Sequence, residues 1–285
     1  MKSLEIKELA QKYFKKRDDN TSKLDYGRSL IIGGSYKYVG APKFSCLALE
    51  KLLSQTTATM LVGTGISFIA LPGVLAKYAL NYVEYSGVIK LPTKFGNIKF
   101  SNRVNKKITY GVNSIAIGMG INKANSINFI EYVLDKTTAN MVIDADAITD
   151  TLNFDLKNRV ILTPNVREFQ RLTGNDGTKE NAKEFAEKHN CVIILKGHNS
   201  YVTDGKEEYI NQTGNAKLAK GGSGDILSGI ICGLLAIGVP IFEAGVLGSY
   251  ILGRCAELCE VNEYSALPKD IIEKIVDVVG ELVNF

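Results

Sequence analysis

Short apolar runs that each end in glycine or polar residues, separated by stretches of helical periodicity, constrain the fold of this chain more than any other feature. Ser29–Ile32 ends in Gly33-Gly34-Ser35, Ser114–Ile117 in Gly118-Met119-Gly120, and Asn140–Ile143 in Asp144-Ala145-Asp146. Arg159–Leu162 leads into Thr163-Pro164 and Cys191–Leu195 into Lys196-Gly197. Thr59–Val62 and Ser67–Leu71 supply strand material around Gly63-Thr64-Gly65. Strands covered by helices on both faces read as continuous apolar runs, as parallel strands do. Lys43–Leu53 sets Phe44, Leu47, Ala48 and Leu52 on one helical face. These patterns predict an α/β fold of three layers, with helices on both sides of a mostly parallel central sheet. Ligands of such sheets bind beyond the carboxyl ends of the strands, where the glycine and polar residues fall. A short hairpin is expected at Ser200–Ile210 around Asp204-Gly205. No linker, repeat or low-complexity stretch divides the chain. Residues 1–285 are therefore expected to form one domain, with 1–25 a helical N-terminal extension.

Composition narrows the function classes. The chain is 45% hydrophobic and 22% charged, an ordinary globular balance, with a net charge of +4. Tryptophan is absent and no Lys/Arg run carries interleaved aromatics, so nucleic acid is not an expected partner. Cys46, Cys191, Cys232, Cys255 and Cys259 form no C-x-x-C pair. They are expected to be buried free thiols in a reducing compartment. The charged N-terminus lacks the apolar core of a signal peptide. No apolar run reaches the ~18 residues of a membrane span. A cytoplasmic protein with no membrane contact is expected. His189 and His198 lack metal-ligand spacing, and His189 reads as a cation closing a helix.

The strongest local signal is Gly221-Gly222-Ser223-Gly224-Asp225, followed by apolar residues at helical spacing. A glycine turn feeding a helix start presents free N–H groups and the positive end of the helix dipole to an anion. Asp225 beside such a site suits a general base taking a proton from an attacking hydroxyl, the preferred reading; the alternative is a simple N-cap. The chain has neither G-x-x-x-x-G-K-[ST] nor a G-x-G-x-x-G following a strand. Lys196, at a strand's carboxyl end, could meet a phosphate as a point charge or lie on the surface. Asn211–Asn215 could contact phosphate or metal, or simply turn the chain. Asp144 and Asp146 are expected to point the same way by strand alternation, where they could hold Mg2+ or a ribose. Glu168 stands on the same rim.

The ordered set of DYGRSLIIGGS (25–35), Gly40-Ala41, IGMG (117–120), DAD (144–146), LTPNVREFQRL (162–172), LKG (195–197), NQTGN (211–215) and GGSGDILSGIICGLL (221–235) resembles the ADP/ATP-dependent NAD(P)H-hydrate dehydratases. These belong to the ribokinase-like superfamily and are often described as carbohydrate kinases. The resemblance spans roughly residues 17–280. It implies a ribokinase-like αβα sandwich that repairs hydrated NADH or NADPH. ADP or ATP, with Mg2+, would phosphorylate the ring hydroxyl, and elimination of phosphate would restore the dinucleotide. Carried over by resemblance, Asp225 activates the hydroxyl and also touches the substrate. Lys196, Gly197, His198, Asn199 and Ser200 line the nucleotide with Gly222, Ser223 and Gly224. Ala41, Gly120 and Asn165 face the hydrated nicotinamide. The family also suggests a homo-oligomer, often a tetramer.

The departures fall on the substrate side. The usual T-P-H-P-G-E reads Thr163-Pro164-Asn165-Val166-Arg167-Glu168, so an amide replaces a titratable imidazole. G-P-G-L-G reads Gly118-Met119-Gly120-Ile121-Asn122, and an expected H-K-G reads Ser22-Lys23-Leu24. Two other functions stay open: a ribokinase-like small-molecule kinase whose product keeps its phosphate, and a nucleotide-binding protein that has lost catalysis.

Overall fold

The computed structural model describes residues 3–15, 20, 22–23, 26–53, 65–79, 81–94, 97–121, 126–149 and 152–283. The strand expected at Thr59–Val62, the following Gly63 and Thr64, and Leu24 and Asn122 lie outside the described residues. Strands β1 (Arg28–Ile32), β2 (Ile66–Pro72) and β3 (Gly87–Leu91) come first, then a small ribbon of β4 (Thr93–Lys94) and β5 (Asn97–Ile98). They are followed by β6 (Ser114–Ile117), β7 (Asn140–Ile143), β8 (Val160–Leu162), β9 (Val192–Leu195), β10 (Tyr201–Thr203) and β11 (Glu208–Ile210). The helices are α1 (Ser3–Tyr13), α2 (Ala41–Leu53), α3 (Gly73–Ala79), α4 (Asn102–Ile108), α5 (Ser126–Lys136) and α6 (Val166–Thr173). After them come α7 (Lys179–His189), α8 (Ser223–Ala236), α9 (Ile241–Leu258), α10 (Pro268–Ile272) and α11 (Ile275–Val283).

One sheet runs β11-β10-β9-β8-β7-β6-β1-β2-β3. From β9 to β3 every pair is parallel, and the expected hairpin adds β10 and β11 antiparallel at one edge. The apolar runs are continuous because both faces are covered. Ile31, Ala116, Val142 and Ile161 pack under α2, α8, α9 and α11. Leu30, Ile32, Ile115, Ile143 and Leu162 pack under α5, α6 and α7. The N-terminal helix is no appendage: Ile6, Ala10 and Phe14 are buried in the same core as α9 and α11. All five cysteines are free and buried. Among the described residues no helix is long and apolar enough to cross a membrane.

Two features position the site. Strand order reverses between β1 and β6, so their following loops diverge and open a crevice beyond the carboxyl ends. Helix α8 is buried at every residue from Ile226 to Ala236, wedged between the sheet, α2 and α9. A Cβ at Gly229 would stand 2.1 Å from the carbonyl oxygen of Ser45. Only glycine lets α2 and α8 approach this closely.

Candidate active site

The glycine-rich turn ends in Gly222, which caps α8 with φ 104°, a left-handed conformation that favours glycine. A Cβ there would also press on Pro268 at 2.8 Å and on the Phe44 ring at 3.1 Å. The cap supplies no side chain. The first N–H groups of α8 therefore face outward without helical partners, as an anion site requires. Asp225 is the third residue of the helix, one turn inside the cap, which removes the N-cap alternative. Its backbone oxygen accepts a hydrogen bond from Ser45 Oγ at 2.7 Å, tying the turn to α2. Its carboxyl is pushed up to about 7, first by burial and then by the charge of Asp144, with Lys196 pulling the other way.

Asp144 sits just past β7 and is almost fully buried. Oδ1 accepts from Lys196 Nζ at 2.8 Å and Thr163 Oγ1 at 2.7 Å; Oδ2 accepts from Ser228 Oγ at 3.0 Å. Burial alone would raise this carboxyl, but Lys196 and the three hydrogen bonds outweigh it and hold it below the usual carboxylate range. Burial likewise opposes the Lys196 charge, and Asp144, Glu168 and Asp225 overcome it. Glu168 Oε2 is 3.6 Å from Lys196 Nζ. A Cβ at Gly224 would meet Lys196 Nζ at 3.2 Å and Asp144 Oδ2 at 3.4 Å. The anion turn, the ammonium and the carboxylates are thus one cluster.

Several expectations change. Asp144 and Asp146 do not project together from a strand. The chain turns at Ala145 (φ 50°) into a 3-10 helix, which buries Asp144 and leaves Asp146 partly exposed on that turn. Asp144 turns both oxygens to protein donors, the Lys196 ammonium among them. Lys196 is not a surface lysine. Asn165 caps α6 in a reciprocal box: its Oδ1 accepts from Glu168 N at 2.9 Å, and its N donates to Glu168 Oε2 at 2.8 Å. Its amide oxygen is therefore committed to the helix, and the nitrogen is what it can offer a ligand. His189 closes α7 but not as a cation. It is buried against Phe185, its Nδ1 lies 3.1 Å from Phe154 O, and burial lowers its pKa. The segment 211–215 is a turn bound to α9: Asn211 Nδ2 donates to Ser249 O, Thr213 Oγ1 to Tyr250 O and Asn215 Nδ2 to Ala256 O.

Ala41 opens α2, one turn before Ser45. Gly120 lies after β6 against Tyr38 of the β1–α2 loop, and Gly34 N donates to Met119 O at 2.9 Å, so both sit at the β1/β6 crevice. Asn165 and Lys196 pair as neighbouring strand extensions. Gly197, His198 and Asn199 are exposed on the turn beyond Lys196, and Ser200 is partly buried there. Of the proposed nucleotide residues, the structure joins Lys196, Gly222, Ser223 and Gly224 in one cluster and leaves the turn 197–199 facing solvent. A profile described as NAD(P)H-hydrate dehydratase matches residues 29–277, which takes in all these loops.

The chain belongs to the NAD(P)H-hydrate dehydratase family. It is 33% identical over 275 residues to a bifunctional NAD(P)H-hydrate repair enzyme of Dictyoglomus turgidum, covering 90% of this chain and 51% of that protein. To the ADP-dependent (S)-NAD(P)H-hydrate dehydratase of Neisseria meningitidis it is 29% identical over 260 residues, 86% of this chain and 81% of that one. The ADP/ATP-dependent NAD(P)H-hydrate dehydratase of Bacillus subtilis, co-crystallised with ATP and Mg2+, superposes with a TM-score of 0.75 at 26% identity, covering 98% and 96%. A ribokinase-like superfamily protein of Enterococcus faecalis shares the fold, with a TM-score of 0.82 at 24% identity over 98% and 95% of the two chains. The chain spans about half the length of the bifunctional relatives it matches.

Within this dehydratase fold, sequence reasoning missed Thr163, Ser228 and Ser45, and the pairing of Asp144 with Lys196. One signal was available. Ser228 follows Gly224 by four residues, one helical turn, so the helix carries it on the face of the anion site.

Proposed function

We propose that this chain catalyses the nucleotide-dependent dehydration of hydrated NADH or NADPH. The observation that carries the proposal is the Asp225 carboxyl, partly buried in the first turn of α8 behind Gly222–Gly224, where desolvation and the charge of Asp144 push it up to about 7. A base poised near the working pH is half available yet strong enough to accept a hydroxyl proton. Asp225 takes the proton of the ring hydroxyl as its oxygen attacks the terminal phosphorus of ADP or ATP. The bond from that phosphorus to the bridging oxygen breaks, leaving AMP or ADP. The N–H groups of Ser223 and Gly224, with Lys196, receive the charge on the transferring phosphoryl group. In the second half the ring C–O bond breaks, phosphate departs with the electron pair, and the neighbouring ring carbon loses a proton. The double bond lost on hydration is restored. Gly197–Ser200 would line the rest of the nucleotide, and Ala41, Gly120 and the Asn165 amide nitrogen would face the nicotinamide.

Magnesium fits this site as a passenger of the nucleotide. Among the described residues no group of three or more His, Cys, Asp or Glu forms a cation cage. Mg2+ commonly relies on substrate phosphates and water with one or two carboxylates. It would neutralise phosphate charge beside the turn.

The test incubates the protein with hydrated NADH, Mg2+ and either nucleotide, following NADH absorbance and inorganic phosphate. One phosphate released per NADH recovered supports the dehydratase. A phosphorylated product that keeps its phosphate points to a kinase, and nucleotide binding without turnover to lost catalysis.

A further inference from the structure

We propose that Asp144 is a positioning residue of phosphoryl transfer: it acts through Lys196, holding that ammonium beside Gly224 where the transferring group passes. The inference deepens the reading above and rests on it for the identity of the reaction. Three observations support it. First, Asp144 is almost fully buried and both its oxygens are engaged by Lys196, Thr163 and Ser228. Second, those donors come from three places: Thr163 follows β8, Lys196 follows β9, and Ser228 lies one turn along α8 from Gly224. The carboxylate therefore fastens the strand ends to the anion turn. Third, the ammonium it holds is 3.2 Å from the point a Gly224 Cβ would occupy.

A lysine side chain is a point charge on a flexible stem with three N–H donors. Asp144 takes one of them, and Glu168 lies 3.6 Å from the same nitrogen. At least one N–H remains for an oxygen of the transferring phosphoryl group. Transfer is catalysed largely by pre-placed charge, so a cation that need not be ordered during the reaction contributes most. Lys196 would then serve the phosphoryl group more than the body of the nucleotide. Loss of Asp144 should appear in turnover and leave ground-state nucleotide affinity nearly intact.

With ATP as the phosphoryl donor, a cycle of Asp144→Asn, Lys196→Met and the double variant tests this, read by kcat for hydrated NADH and by calorimetric Kd for ADP and for ADP with aluminium fluoride, a mimic of the transferring terminal group. Lys196→Met should lower kcat by about 10²–10³-fold, the range for losing one transition-state donor. Asp144→Asn should lower it by about tenfold or more, and the double variant should be no worse than Lys196→Met alone. Affinity for the fluoride complex should fall in the same non-additive way while ADP affinity changes by less than about threefold. Multiplying losses in the double variant, or Asp144→Asn at parental kcat and fluoride affinity, would overturn the proposal. If Asp144→Asn does not fold, Ser228→Ala takes its place. It should lower kcat and fluoride affinity in the parent and not in Lys196→Met; equal losses in both, or none in the parent, would overturn it. If the parent turns over no hydrate while the fluoride cycle is non-additive, the substrate reading falls and the role of Asp144 stands.

Discussion

Ser45 Oγ donates to the backbone oxygen of Asp225 at 2.7 Å, so the helix that opens at the β1/β6 crevice is bonded to the first turn of the helix that carries the proposed base. Ser45 is fully buried. Ser45→Ala should cost about 1 kcal/mol, the usual net worth of one such bond. It should lower kcat a few-fold by loosening Asp225. Urea unfolding and steady-state kinetics on the same preparation check both.

Gly229→Ala probes the same contact by crowding it. The new Cβ would meet Ser45 O at 2.1 Å, where backbone must move. Overpacking of this kind costs about 1–3 kcal/mol, and rigid backbone on both sides puts this site at the upper end. The urea midpoint should fall with no change in the m-value.

Asp225→Asn should retain the fold and nucleotide binding and lose about 10²–10⁴-fold in turnover, the range for a general base. In the parent, the acid limb of kcat/KM should rise through about 7, where burial and Asp144 place the free carboxyl.

The same carboxyl sets a stability profile. Its folded value lies above the unfolded one, so the native state holds the proton more tightly. The stability it contributes is full below about pH 4, the ordinary aspartate value, and is lost as pH rises through about 7. At about 1.4 kcal/mol per pH unit, the loss is on the order of 4 kcal/mol. The unliganded Asp225→Asn protein should therefore match the parent near pH 4 and melt above it at pH 8. Calorimetry that found equal melting temperatures at both pH values would contradict this.

Asn165 carries two separable duties. Asn165→Leu loses the cap of α6, at about 1 kcal/mol, and also any hydrogen bond to the substrate. Asn165→Ser can cap but is too short to reach the crevice. Both should raise KM for the hydrate and leave that for the nucleotide alone, while only Asn165→Leu should lower the melting temperature. A rise in nucleotide KM instead would move Asn165 out of the substrate half.

Much of the architecture was legible in the chain itself. Apolar runs such as Ser114–Ile117 and Asn140–Ile143 became strands with those same bounds, because a strand buried on both faces must be apolar throughout. The turn Gly221–Gly224 was legible because close backbone approach to an anion and a left-handed cap both demand glycine. What the sequence could not determine is which groups face one another. Asp144 meets Lys196 across 52 residues and Ser228 across 84, and no local spacing encodes either pairing. Ala145 turned the chain out of the alternation that had grouped Asp144 with Asp146. His189 stood at the expected helix end but as a buried ring, and Asn165, expected on the substrate rim, also caps α6 with its amide oxygen. Covalent geometry and apolar patterning act over a few residues and can be read along the chain. Desolvation, charge pairing and the pKa of Asp225 depend on neighbours that only the folded arrangement of strands β7, β8 and β9 around α8 brings within a few ångströms.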